Sequence, residues 1–214
     1  MNRIILLALL LWVAILPAQE WKLTKDNDNI EVYTRKIDGQ AIKDLRINTV
    51  LNTTLSELVA ALEDFSLNQS WVRNTIFSKK VEAISDTHFY FHTATDLPFP
   101  AKNRDVVIRY ERQQDPITNV VRIDYEGYPD KVAKDPDYVR IPVLTAYYIL
   151  TPVSPGEINV EYFLRTEIGG SIPNWIINLG ISVGPTDTMK ALRKVLATGR
   201  YADSSVPELN DPFN

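Results

Sequence analysis

Thr87–Arg112 reads THFYFHTATDLPFPAKNRDVVIRYER, and its pattern decides the fold class. Thr87 to Asp96 is rich in aromatic and β-branched residues, which suit a strand. Leu97-Pro98-Phe99-Pro100 cannot be central strand, because proline donates no ladder hydrogen bond. From Arg104 to Arg112 the strand pattern resumes. Val106, Ile108 and Tyr110 share one face there, and Val107, Arg109 and Glu111 share the other.

Strands flank this pair on both sides. Thr75–Ser85 precedes it across a tight turn at Ser85-Asp86. Asn119–Glu126, Tyr138–Pro152 and Glu157–Ile168 follow it, the last after a Ser154-Pro155-Gly156 turn. Nearer the N-terminus, Ile30–Lys36 alternates apolar and polar residues. Asp38-Gly39 turns the chain into a strand from Ile42 to Leu51. One helix interrupts the series. Thr54 and Glu57 have capping-box spacing, and Leu55, Leu58, Val59 and Leu62 fall on one face.

The end of the chain is helical in pattern. After Gly169-Gly170-Ser171, apolar residues recur from Ile172 to Leu196 at helical spacing. Gly184-Pro185 should kink or break that helix, since proline removes a hydrogen bond and clashes with the turn before it. Gly127–Asp137 holds two prolines and five charges and reads as a long loop. The segment from Ala202 is polar, carries two prolines and reads as a loosely ordered tail. The sum is α+β with an antiparallel sheet, whose open face a terminal helix can cover.

With 214 residues the chain fits one domain with a sizeable core. Its formal net charge of -4 argues against nucleic acid, which needs a basic footprint. The N-terminus differs from the rest. Arg3 precedes an apolar run from Ile4 to Leu16, closed by Pro17 and Ala18. The run fits a signal-peptide h-region of about 7–15 residues and is too short for a span of about 20. The expected division is a signal peptide over 1–18, a domain over 19–201 and the tail over 202–214. Cleavage after Ala18 gives an exported chain, periplasmic or secreted. The alternative is an uncleaved membrane anchor. The sequence has no cysteine, which excludes a lipoprotein anchor, a disulfide and a thiol nucleophile.

Catalytic and metal-binding patterns are weak. His88 and His92 would lie on one face of a strand but about 13 Å apart, too far to share a metal. No G-x-S-x-G elbow and no glycine-rich phosphate loop occurs. Asp26-Asn27-Asp28-Asn29 lacks the glycine and glutamate of a calcium loop and reads as a turn. Aromatic residues in the strands, among them Tyr110, Tyr125, Tyr147 and Tyr162, suit either a plain core or a ligand cavity.

Three motifs carry a family resemblance. Pro98-Phe99-Pro100-Ala101-Lys102-Asn103-Arg104-Asp105 resembles the P-x-P…N/S-R-D segment of START domains, the steroidogenic acute regulatory protein-related lipid transfer family. Gly170-Ser171-Ile172-Pro173-Asn174-Trp175-Ile176-Ile177-Asn178 resembles the opening of their C-terminal helix, and Ala191-Leu192-Arg193-Lys194 its end. The resemblance covers about Glu20 to Tyr201.

It implies a helix-grip fold, in which a bent antiparallel sheet wraps a long C-terminal helix around an internal tunnel. It also implies lipid or sterol-like ligand binding and transfer, transient membrane contact, a monomer, no catalytic residue, no metal and no cofactor. The alternative within the superfamily is an enzyme of the aromatic cyclase type. The implied tunnel lining is Trp71 after the early helix; Tyr90, His92, Val106, Ile108 and Tyr110 on the central strands; Ile123 and Tyr125 on the next. Trp175, Ile176, Leu179 and Val183 of the terminal helix complete it. The implied gate combines Gly127, Tyr128 and Pro129 with Gly180, Gly184 and Pro185. Many family members carry a cavity arginine where Tyr110 stands here. Arg109 has outward parity, so a tyrosine hydroxyl suited to a neutral ligand group is expected in its place.

Overall fold

Two strands open the fold, β1 (Lys22–Asn27) and β2 (Ile30–Arg35), and Asp28 and Asn29 form the turn between them. Both turn residues have positive φ, 57° and 56°. Asp and Asn adopt that region more readily than other side chains, which suits a two-residue hairpin. The acidic stretch is thus half strand and half turn. β1 escaped the sequence reading because it buries neither face, so its residues carry no alternation. The computed structural model describes residues 20–173, 176–177 and 183–213. The segment 1–18, Trp175, Leu179 and Gly180 lie outside the described residues.

After β3 (Asp44–Leu51) the chain forms α1 (Leu55–Glu63), a 3-10 turn (Phe65–Leu67) and the short α2 (Asn68–Trp71). The capping box at Thr54 and Glu57 is formed in both directions. β4 (Thr75–Ala83), β5 (His88–Thr95), β6 (Arg104–Gln114) and β7 (Val121–Gly127) follow. A two-residue β8 (Val139–Arg140) precedes β9 (Val143–Ser154) and β10 (Glu157–Glu167). The strands form one sheet in the order β1-β2-β3-β10-β9-β7-β6-β5-β4, with antiparallel neighbours throughout. β8 alone pairs parallel, beside β6.

The sheet curves, and its inner face carries the core. Ile30, Val32, Leu45, Ile47, Phe89, Val121, Leu150 and Ile158 pack there beneath Leu55, Leu58 and Leu62 of α1. α3 (Gly184–Leu196) lies across α1, α2 and β2 and buries Met189 and Leu192. This is the helix-grip α+β architecture. Pro185 stands in the first turn of α3, where a missing N–H leaves nothing unsatisfied. Gly184-Pro185 therefore starts this helix, in keeping with the expected break.

The polar tail is docked, not loose. Tyr201 donates to Asp64 at 3.0 Å, and Val206 is buried in the core. The Pro207 carbonyl accepts from Arg112 at 2.8 Å, and Asp211 accepts from the Ser56 amide at 3.0 Å. Its hold comes from single hydrogen bonds between distant residues, which composition does not reveal.

Two buried aspartates organise the outer face. Asp44 accepts from Arg165 at 2.8 and 2.7 Å and from Arg35 at 2.8 Å. Asp105 accepts from Arg140 at 3.0 and 2.8 Å and from His92 Nε2 at 2.8 Å. Burial raises both carboxyls, but the hydrogen bonds from the arginines outweigh it and hold both below the usual range. A depressed folded pKa contributes stability above the unfolded value of about 3.9, and that stability goes as pH falls through the folded value. The midpoint of urea unfolding should therefore be flat from pH 7 to about 5 and fall below about 4. An Asp105→Asn chain, weaker at pH 7, should lose less on acidification. Equal acid losses in both chains would contradict this.

Candidate functional site

Between the inner face of the sheet, the 3-10 turn, α2 and the start of α3 lies a cavity of about 400 Å³. That falls within the range of about 300–1,000 Å³ for small-molecule sites. Strand alternation places its walls. β5 contributes Phe91, Thr93 and Thr95; β6 contributes Val106 and Ile108; β7 contributes Tyr125. Leu144, Ala146 and Tyr148 of β9 and Tyr162 and Leu164 of β10 complete the sheet side. Leu62, Phe65, Trp71, Val72, Ile176, Pro185 and Met189 form the opposite wall. Arg73 and Asn74, both exposed, stand at the rim with Leu97 and Pro98.

The lining is mostly apolar. Among the described residues Arg73 is the one charged side chain along it, and Asp187 of α3 pairs with that guanidinium. Trp71 Nε1 and Asn68 Oδ1 are buried without a hydrogen-bond partner among the described residues. Tyr125, Tyr148 and Tyr162 stand on three successive strands, with ring centroids 6.0 Å (Tyr125–Tyr148) and 4.7 Å (Tyr148–Tyr162) apart. Burial pushes all three phenols well up from their ordinary value, so all are neutral.

Of the residues expected in the tunnel, Trp71, Val106, Ile108, Tyr125 and Ile176 line the cavity, as do Gly184 and Pro185 of the expected gate. Five others do not. Tyr90 and His92 lie on the outer face of β5, because the inward parity is that of Phe89, Phe91 and Thr93. Tyr110 does face inward, beyond the cavity. It stacks on Phe89 with centroids 4.3 Å apart, and its hydroxyl donates to Glu63 at 2.5 Å. Glu63 also accepts from the buried Arg112 at 2.9 Å. The hydroxyl expected to meet a ligand is therefore spent on a partly buried ion pair that closes the far end of the fold. Ile123 is one inward position past Tyr125, in solid core. Val183, just before α3, does not reach the lining.

The gate loop also sits elsewhere than expected. Gly127, Tyr128 and Pro129 lie off the cavity and lead onto the outer face. The Tyr128 ring packs on Tyr90 at 5.4 Å. Arg140 reaches from Asp105 to the carbonyls of Pro129, Val132 and Ala133. A buried ion pair thus pins the loop to the back of the sheet. Arg109 points outward as its parity requires, pairing with Glu126 at 2.5 Å.

Sequence reasoning missed Thr93, Ala146 and Tyr148 as lining residues, and left Phe91 and Tyr162 between core and cavity. Once one inward residue per strand is fixed, alternation finds each of them.

A START domain model matches residues 13–203. The chain is similar to the uncharacterized protein PA1579 of Pseudomonas aeruginosa, 29% identical over 82% of this chain and 86% of that one. It is also similar to the crystal structure of a STAR-related lipid transfer protein from Xanthomonas axonopodis. That match has a TM-score of 0.76 and 29% identity, covering 83% of this chain and 98% of the other. Human STARD10 shares the fold at a TM-score of 0.74 and 18% identity, over 90% of this chain and 79% of its own. With the model matched across the sheet, the cavity walls and the terminal helix, the chain belongs to the START domain family.

Proposed function

We propose that the chain binds a hydrophobic small molecule in this cavity and carries it between membranes. The observation that carries the reading is the largely apolar cavity of about 400 Å³ between sheet and helices. Each Å² of apolar ligand surface it removes from water contributes about 25 cal/mol. The named lipid transfer activity of the Xanthomonas relative supports the same reading. Binding is favoured over catalysis because His92, the group a cyclase-type reading would use, is held by Asp105 on the outer face.

The rim suits contact with a membrane. Phe99 is 92% exposed and follows the cavity-lining Pro98. An aromatic side chain so placed can enter the lipid interface while the cavity mouth faces the bilayer. Adding the protein to donor vesicles holding a pyrene-labelled sterol or acylglycerol should speed transfer to acceptor vesicles in proportion to protein. Rates no higher than spontaneous exchange would contradict carriage.

We also propose that the chain is exported and cleaved. The support is Arg3, the apolar Ile4–Leu16 run and Ala18. Intact-mass measurement on protein from its host should give a chain beginning at Gln19. A mass that includes Met1–Leu16, in the membrane fraction, would mean an anchor instead.

A further inference from the structure

The walls of the cavity are largely apolar; besides threonines of β4 and β5, of which Thr93 donates to the Phe77 carbonyl, the sheet side carries three tyrosine hydroxyls. Tyr125, Tyr148 and Tyr162 project from adjacent strands, Tyr148 directly opposite Tyr162 in the ladder. Tyr125 and Tyr162 are only half-buried by area although they sit deep within the fold, because the open part of their surface faces the cavity. None of the three hydroxyls donates to another described residue. The contrast with their neighbours is sharp. Tyr110 donates to Glu63, Tyr147 to Glu161 at 2.9 Å, and Tyr201 to Asp64. Three hydroxyls that face one cavity and are not spent on other described residues offer hydrogen bonds that an occupant can take up.

We propose that these three phenols form the polar subsite of the cavity and hold an uncharged oxygen group, a hydroxyl or carbonyl, of an otherwise apolar ligand. This rests on the carrier reading and narrows it to neutral lipids. The charge balance excludes other headgroups. An anion would be buried among neutral phenols, since Arg73 is engaged by Asp187 and Arg112 by Glu63. A buried charge without a partner is costly. A cation would find no carboxylate among the described lining residues, with only aromatic faces to hold it. A hydroxyl can both accept from one phenol and donate to another. Because burial keeps the phenols protonated, they stay donors across the physiological range.

The test uses four pyrene-labelled C12 chains ending in a hydroxyl, a carboxylate, a trimethylammonium or a methyl group. Fluorescence titration should rank the alcohol tightest. One neutral hydrogen bond is equivalent to about a two- to tenfold change in affinity. The combined Tyr125→Phe, Tyr148→Phe and Tyr162→Phe variant should bind the alcohol at least tenfold more weakly. It should bind the methyl-ended chain as before, which also shows that it is folded. Tightest binding of the carboxylate or trimethylammonium chain, or an unchanged alcohol affinity in the variant, would overturn this inference alone. Failure of all four to bind the wild-type chain would overturn the carrier reading, and this one with it.

Discussion

Asp105→Ala should cost about 3–5 kcal/mol of folding stability, the usual consequence of leaving one partner of a buried ion pair uncompensated. Arg140, 4% exposed at its side chain, would keep its charge in a buried site with only carbonyls for company. The effect should also be local. With the Asp105 carboxylate gone, the Arg140 side chain loses its ion-pair partner, only the backbone pairing of β8 with β6 remains, and the loop after Gly127 loses its pin. Amide exchange at Lys131 and Tyr138 should quicken more than exchange in β9 and β10. The midpoint of urea unfolding, converted with the measured slope, checks the magnitude. A loss under about 1 kcal/mol would mean that the pair is no better than an exposed one.

The second large effect lies in the cavity. Ala146 is buried at the centre of the sheet side, opposite Tyr125 on β7 and Leu164 on β10. Ala146→Trp should fill the space between them. Denying a ligand about 100 Å² of apolar contact removes about 2.5 kcal/mol, or roughly 70-fold in affinity. Stability should change far less, because the added ring enters a void and not a packed core. Titration of the pyrene-labelled alcohol reads the first effect and thermal unfolding the second. Undiminished affinity in a folded Ala146→Trp chain would place the ligand elsewhere.

The strands of the sheet were legible because most bury one face. Ile30–Arg35 alternates cleanly and Asp44–Leu51 does so from Leu45, and both lie within the expected Ile30–Lys36 and Ile42–Leu51. β5 was legible as a strand but not in its orientation. Phe89 and Phe91 face the core, while Tyr90 and His92 are buried on the other side by the loop folded over them. A strand covered on both faces gives no parity signal. The site was half legible for the same reason. Val106, Ile108 and Tyr125 followed from alternation, but how far along a strand the cavity extends depends on what fills its end. Glu63, Arg112 and the docked tail fill it here, which takes Tyr110 out of the site. That plug joins residues 47 to 95 positions apart in the chain, beyond the reach of any local pattern.

Native mass spectrometry of the freshly purified chain tests the central claim most directly, since a hydrophobic ligand held in an apolar cavity should survive purification. The spectrum should show a one-to-one complex with a hydrophobic molecule, lost on denaturation and absent from Ala146→Trp. A bare wild-type chain that also takes up no added lipid would contradict the account.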